Sequence, residues 1–236
     1  MRDPFREGLA AGWKHIDAST LAVDREFVAD VIIVGSGAGG GVTAELLSGA
    51  GLDVIIVEEG PLRTSSDFRM REAEAYPELY QESAARLTAD KAIKILQGRC
   101  VGGSTTVNWT SSFRTPPATL HWWQSTWGLR NLSVEALAPW FAAMEQRLHI
   151  GMWPLPPNEN NAVLARGATQ LGIPVAVIPR NVKMCWNLGY CGMGCPTNAK
   201  QSMLLTTIPS ALEQGAPLYS QLRAERLIVE GDQVRG

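Results

Sequence analysis

The sequence has little of what marks membrane-spanning, secreted or nucleic-acid-binding chains. Its apolar runs are only strand-sized, and neither Val31–Val34 nor Val54–Val57 approaches the ~18 residues needed to span a bilayer. The opening Met1-Arg2-Asp3-Pro4-Phe5-Arg6-Glu7 carries both charges with no apolar stretch behind it, which argues against a secretory signal. Cysteine is scarce, four in 236 residues, and the bunching of three at 185, 191 and 195 does not suit a disulfide framework. Neither charge dominates: 21 Lys and Arg face 23 Asp and Glu, a net charge of -2, so nothing draws the chain to nucleic acid or an anionic membrane surface. These absences point to a cytoplasmic protein without a transmembrane segment. Histidine is limited to His15, His121 and His149, none in a motif.

What is present is a globular composition, 45% apolar and 19% charged, with a length suited to one domain or a domain and a half. Glycine is enriched at 23 residues, and eight of these fall in two clusters at 35–41 and 98–103. Residues 1–29 read as an irregular lead-in with one short helix. Val31–Val34 is a β-branched apolar run that suits a central parallel strand buried on both faces. A helical stretch over 42–47 follows, closed by Gly49 and Gly51, and 53–57 forms a second buried strand. Together these make a right-handed βαβ unit. Residues 66–97 read as helical or as a solvated excursion, interrupted by Pro77. Four of the eight Trp lie between 109 and 127, and together with the helical spacing over 134–148 they read as core. A short helix is expected over 162–172, after a rigid connection around Pro154, Pro156 and Pro157.

The first glycine cluster, Gly35-Ser36-Gly37-Ala38-Gly39-Gly40, satisfies G-x-G-x-x-G between a strand and a helix. The first glycine permits the tight turn, the second lets backbone approach a pyrophosphate, and the third allows helix and strand to pack closely. Phosphate charge would then meet free N–H groups and the positive end of the helix dipole. Glu58 ends the second strand at about the spacing at which an acidic residue binds ribose, which favours NAD or FAD over NADP. Glu59 is adjacent, but the alternation of a strand end sends it to the other side. By itself the unit leaves nicotinamide and flavin open.

The second cluster separates them. Gly98-Arg99-Cys100-Val101-Gly102-Gly103-Ser104-Thr105-Thr106-Val107-Asn108 resembles the G-R-x-x-G-G-S-S-x-x-N signature of the glucose–methanol–choline (GMC) family of FAD-dependent oxidoreductases. The first cluster with its Val57-Glu58-Glu59-Gly60 ending is similar to the ADP-binding half of that family, and Cys191-Gly192-Met193-Gly194-Cys195-Pro196-Thr197-Asn198-Ala199-Lys200-Gln201-Ser202 resembles, more weakly, a stretch of its choline-dehydrogenase-like and alcohol-oxidising branch. The resemblance implies an α/β, Rossmann-like FAD-binding domain over 30–236, incomplete, with the beginning of an α+β cap or substrate region over 112–190. It implies cofactor contacts at Gly35, Gly37, Ala38, Gly39, Gly40, Glu58, Arg99, Gly102, Gly103 and Ser104, with Asn108 beside the isoalloxazine and Ala224 near the adenine. Some members attach FAD through a His just before this Asn; Val107 stands here, so non-covalent FAD is expected.

The activity implied is oxidation of the CH–OH group of an alcohol, a small-molecule substrate, with the hydride passing to flavin N5. The family's basic His lies beyond this stretch and no position here matches it, so no catalytic residue is assigned. FAD binding without turnover is the expectation for this chain alone. The rivals are an NAD-dependent dehydrogenase built on the same turn and a non-catalytic nucleotide-binding subunit. The cysteine segment reads as a glycine-bent structural loop with room for a local disulfide, in preference to an iron–sulfur or zinc site. The strand, turn and returning strand over 227–234 read as a hairpin cut in its second strand, and hence as a truncated sheet with its substrate domain absent.

Overall fold

The computed structural model describes residues 2–236. They divide into two units, one of residues up to Trp109 together with Met184–Gly236, the other of Thr110–Lys183.

In chain order, helix α1 (Pro4–Ala10) starts on Asp3, whose carboxylate accepts the Arg6 N–H at 3.2 Å, with Pro4 in the first turn, where its missing N–H costs nothing. Strand β1 (His15–Asp17) follows, and then β2 (Val31–Val34), α2 (Ala38–Gly49) and β3 (Val54–Val57) form the βαβ unit. The end of α2 is a Schellman turn: Leu52 N–H donates to Leu47 O at 3.2 Å and Gly51 N–H to Ser48 O at 3.0 Å, with Gly51 left-handed. Helix α3 (Glu72–Leu79) occupies only part of the first half of 66–97, the stretch read as helical or as a solvated excursion. A bridge from Tyr80 to Gly98 and another from Leu87 to Lys94 then carry the chain to α4 (Ser104–Val107).

The second unit contains α5 (Pro117–Trp127), α6 (Val134–Arg147), α7 (Glu159–Gln170) and an antiparallel pair, β4 (Ile150–Gly151) with β5 (Arg180–Asn181). Arg114 grips Glu145 with two hydrogen bonds of 2.7 Å, and the Arg180 guanidinium lies 4.6 Å from the Trp153 ring centre. The core expected here is not found. Trp122 and Trp127 are more than half exposed, no residue of α6 is buried, and Leu120 alone is buried in α5.

Back in the first unit, a 3-10 turn over Cys191–Met193 leads to α8 (Thr207–Glu213), β6 (Leu218–Ser220) and the hairpin of β7 (Val229–Glu230) and β8 (Gln233–Val234). The main sheet is wholly parallel in the order β1-β6-β3-β2. This corrects two expectations. The lead-in supplies a strand of the sheet, and β2 is an edge strand, with Ile33 buried while Ile32 and Val34 are 49% and 61% exposed. The central strand is β3, buried along its whole length because β6 pairs with its other edge. Val54, Ile56 and Leu218 fill one face, where α2 packs on α8, while Ile55, Val57 and Tyr219 cluster on the other. Among the described residues no helix is long and apolar enough to cross a membrane.

Candidate functional site

The turn from β2 into α2 begins at Gly35, whose φ of +90° puts it in the left-handed region that glycine enters without penalty, and its N–H donates to Val57 O at 2.8 Å. A side chain at Gly40 would overlap the Gly35 carbonyl, so the third glycine of the motif is what lets α2 lie on its strand. The second cluster folds against this turn. Gly103 has φ +54°, and a Cβ there would stand 2.8 Å from Gly37 Cα, so the two clusters meet backbone to backbone.

Ser36 joins them chemically. It is fully buried, its N–H and hydroxyl both donate to Glu58 Oε2 at 2.9 and 2.7 Å, and its oxygen accepts the Gly102 N–H at 2.9 Å. The other Glu58 oxygen accepts the Gly60 N–H at 3.0 Å. A carboxylate has about four lone-pair sites, so Glu58 retains capacity toward a ligand. Three short side chains fix the second loop: Ser104 Oγ accepts the Gly98 N–H at 3.0 Å, Thr105 Oγ1 donates to Gly102 O at 2.6 Å, and Thr106 Oγ1 donates to Val101 O at 2.9 Å.

A cleft of about 500 Å³ opens between the clusters. Its walls include Gly35, Gly37, Ala38, Glu58, Gly103, Ser104 and Ala224 of the residues singled out from the sequence. Gly39, Gly40, Gly102, Arg99 and Asn108 do not line it. Gly102 lies behind Ser36. Arg99 donates to Glu59 O at 3.2 Å, the Glu59 carboxylate accepts from Gln81, and Glu59 is a wall residue of the cleft together with Glu58, against the expectation that the strand end sends it to the other side. Asn108 is exposed at the end of α4, with its N–H on Ser104 O at 2.9 Å. Pattern reading passed over Ser36, an unconstrained position of the motif, and gave no role to Lys200. That lysine is 3% exposed, and its Nζ donates to the carbonyls of Thr106, Asn108 and Cys191 at 2.7, 2.8 and 2.6 Å.

None of the four cysteines is in a disulfide, so the local disulfide entertained for the 191–195 loop is not formed. Burial, with the Glu58 charge adding to it, pushes the Cys100 thiol up to about 12. Burial also acts to raise Cys195, but the Thr197 hydroxyl, 3.4 Å from its sulfur, and the N–H groups of Lys200, Thr197 and Ala199 outweigh it and hold that thiol below its ordinary value. Among the described residues no cluster of three or more His, Cys, Asp or Glu could hold a metal ion.

The chain is 32% identical over 200 residues to the long-chain-alcohol oxidase FAO1 of Arabidopsis thaliana, an alignment covering 85% of this chain and 26% of that protein. It is 36% identical over 203 residues to an uncharacterized GMC-type oxidoreductase of Mycobacterium tuberculosis, covering 85% of this chain and 32% of its relative. The chain thus spans about a third or less of the length of these two relatives. Its backbone is similar to that of pyridoxine 4-oxidase from Mesorbium loti, with a TM-score of 0.65 at 19% identity over 88% of this chain and 45% of that one. It is also similar to a formate oxidase of Aspergillus oryzae, with a TM-score of 0.59 at 16% identity over 86% and 40% of the two chains. The model of the GMC oxidoreductase family matches residues 76–236, from α3 through the second glycine cluster to the final hairpin. With the first cluster meeting the second across one cleft, the chain belongs to the GMC oxidoreductase family.

Proposed function

We propose that this chain is the FAD-binding portion of an oxidoreductase acting on the CH–OH group of an alcohol. The observation that carries the reading is the backbone contact of Gly37 with Gly103, which makes both glycine clusters walls of one cleft. The second wall lies in the stretch matched by the GMC oxidoreductase family model, which supports a flavin over a nicotinamide. The residues fit the group: the cleft volume falls in the range of cofactor sites, and side chains are missing where the two backbones come closest.

In this reading the start of the twelve-residue helix α2, at Gly37 and Ala38, offers N–H groups and the positive end of its dipole to the pyrophosphate. Glu58, prepositioned by Ser36 and Gly60, accepts from the ribose. Leu222, Arg223 and Ala224 line the adenine end, and Ser104 and Thr105 the flavin side. Val107 is 2% exposed and offers no nucleophile, which supports a non-covalent cofactor. When bound, the flavin supplies the acceptor for the hydride leaving the alcohol carbon. The proton leaving the hydroxyl is assigned to no residue of this chain. Oxidation of an alcohol is supported by the name of the plant relative, a long-chain-alcohol oxidase. The test is gel filtration of the purified chain after incubation with FAD or with NAD. Flavin absorbance should co-elute with the protein while NAD does not, and the reverse pattern overturns the reading.

A further inference from the structure

We propose that Gln97 is a further ligand-binding residue of the cleft, donating through its side-chain amide to an acceptor atom of the isoalloxazine. Gln97 is a wall residue together with Ser104 and Thr105, which form the flavin side in the FAD reading. A primary amide carries an acceptor oxygen and a donor NH2 group on similar arms, and its partners decide which arm goes where. Here the choice is forced. Gln97 Oε1 accepts from Arg86 Nη1 at 2.9 Å, and a guanidinium has donors only, so the oxygen is the arm turned to Arg86 and the NH2 is the arm turned away from it. Arg86 is itself held by Glu82, whose carboxylate accepts from its Nε at 3.0 Å.

The main chain of Gln97 points to the same chemistry. Its carbonyl accepts the Gln81 N–H at 3.0 Å, so both of the residue's acceptors are engaged. Among the described residues neither its NH2 group nor its main-chain N–H has an acceptor. Gln97 therefore brings only donors to the cleft, where Glu58 brings acceptors. The Gly98 N–H beside it is already given to Ser104 Oγ, so the unspent donors on this stretch of wall are those of Gln97. The chain from Glu82 through Arg86 to Gln97 also has a direction: a guanidinium on the amide oxygen draws electron density from the nitrogen and makes its N–H groups better donors. Such donors suit the carbonyl oxygens and unprotonated ring nitrogens of an oxidised isoalloxazine. The inference rests on the FAD reading of the cleft.

The test titrates FAD and ADP separately into the purified chain and into its Gln97→Met and Arg86→Met variants. Gln97→Met keeps the length of the side chain and removes the donors. It should raise the FAD dissociation constant about tenfold, as expected for a ligand acceptor deprived of its partner, and leave that of ADP, which has no isoalloxazine, unchanged. Arg86→Met frees the amide to turn either way, so about half of the molecules present NH2 and FAD should weaken only about twofold. Gln97 is exposed, so Gln97→Met should unfold at the urea midpoint of the wild type. Equal losses of FAD and ADP in Gln97→Met would mean a disturbed wall and overturn the inference. Unchanged FAD affinity in that variant, or a larger loss in Arg86→Met than in Gln97→Met, overturns it while leaving FAD binding intact. A wild-type chain that takes up no FAD overturns both readings.

Discussion

The hydroxyl of Ser36 lies 2.7 Å from the Glu58 carboxylate, and both groups are almost wholly buried. The pair ties the first glycine turn to the end of β3, and because the same Ser36 oxygen accepts the Gly102 N–H, it ties the second cluster to both. Three segments distant in sequence are thereby fixed around one cleft by a single hydroxyl.

Ser36→Ala removes that hydroxyl and leaves the Gly102 N–H without its acceptor in a site closed to water. The expected cost is about 1–3 kcal/mol, the usual penalty for a buried group deprived of its partner. Urea unfolding should show a lower midpoint at unchanged slope, and FAD affinity should fall with it because Glu58 loses its orientation. An unaltered midpoint would contradict the role given to Ser36.

Gly103→Ala puts a methyl group 2.8 Å from Gly37 Cα at a φ of +54°, so strain and overlap act together. Destabilisation of roughly 1–3 kcal/mol is expected, with a loss of FAD binding larger than the loss of stability explains. Gly128→Ala, also at positive φ but with open space around it, should cost less and leave binding unaltered. Denaturant midpoints and FAD titrations of the two variants make the comparison.

Acid should release the N-terminal helix. Burial acts to raise the Asp3 carboxyl, but hydrogen bonds from the Ser66 and Thr64 hydroxyls and from the N–H groups of Arg6 and Ser66 hold it down to about 2, against 3.8 for the free group. A depressed carboxylate adds stability that is fully present above the unfolded value and is lost as pH falls through the folded one, here between about pH 4 and 2. The contribution is roughly 2 kcal/mol. Stability measured against pH should drop in that window in the wild type and be flatter in Asp3→Asn.

Thiol chemistry should divide the cysteines. Cys195 is half-buried with its thiolate favoured by surrounding N–H groups, whereas Cys100 is buried and pushed up to about 12. Brief treatment with iodoacetamide at neutral pH, followed by mass spectrometry of the peptides, should show Cys195 labelled and Cys100 untouched. Labelling of Cys100 in the folded protein at a comparable rate would contradict this.

The parts of this fold legible in the sequence are those that depend on near neighbours. Strand, glycine turn, helix and strand over 31–57 follow from β-branched runs and glycine placement, and the hairpin at 229–234 from Gly231-Asp232. Strand order was not legible, because whether β2 or β3 is central depends on β6, which arrives some 160 residues later by way of a second unit. His15–Asp17 gave no strand signal, since three residues of mixed polarity acquire their conformation from pairing with Leu218–Ser220. In the site, Glu58 and the glycines stood out by spacing. Ser36 and Lys200 did not, because their partners at 58, 102, 106, 108 and 191 are set by the tertiary fold.

The central claim is that the two glycine clusters form one dinucleotide site for FAD, and equilibrium titration of the purified chain tests it most directly. The wild type should bind one FAD per chain, in competition with ADP and not displaced by NAD, and Gly103→Ala should abolish the saturable signal. Preferential binding of NAD, or FAD uptake that is indifferent to Gly103→Ala, would contradict the claim.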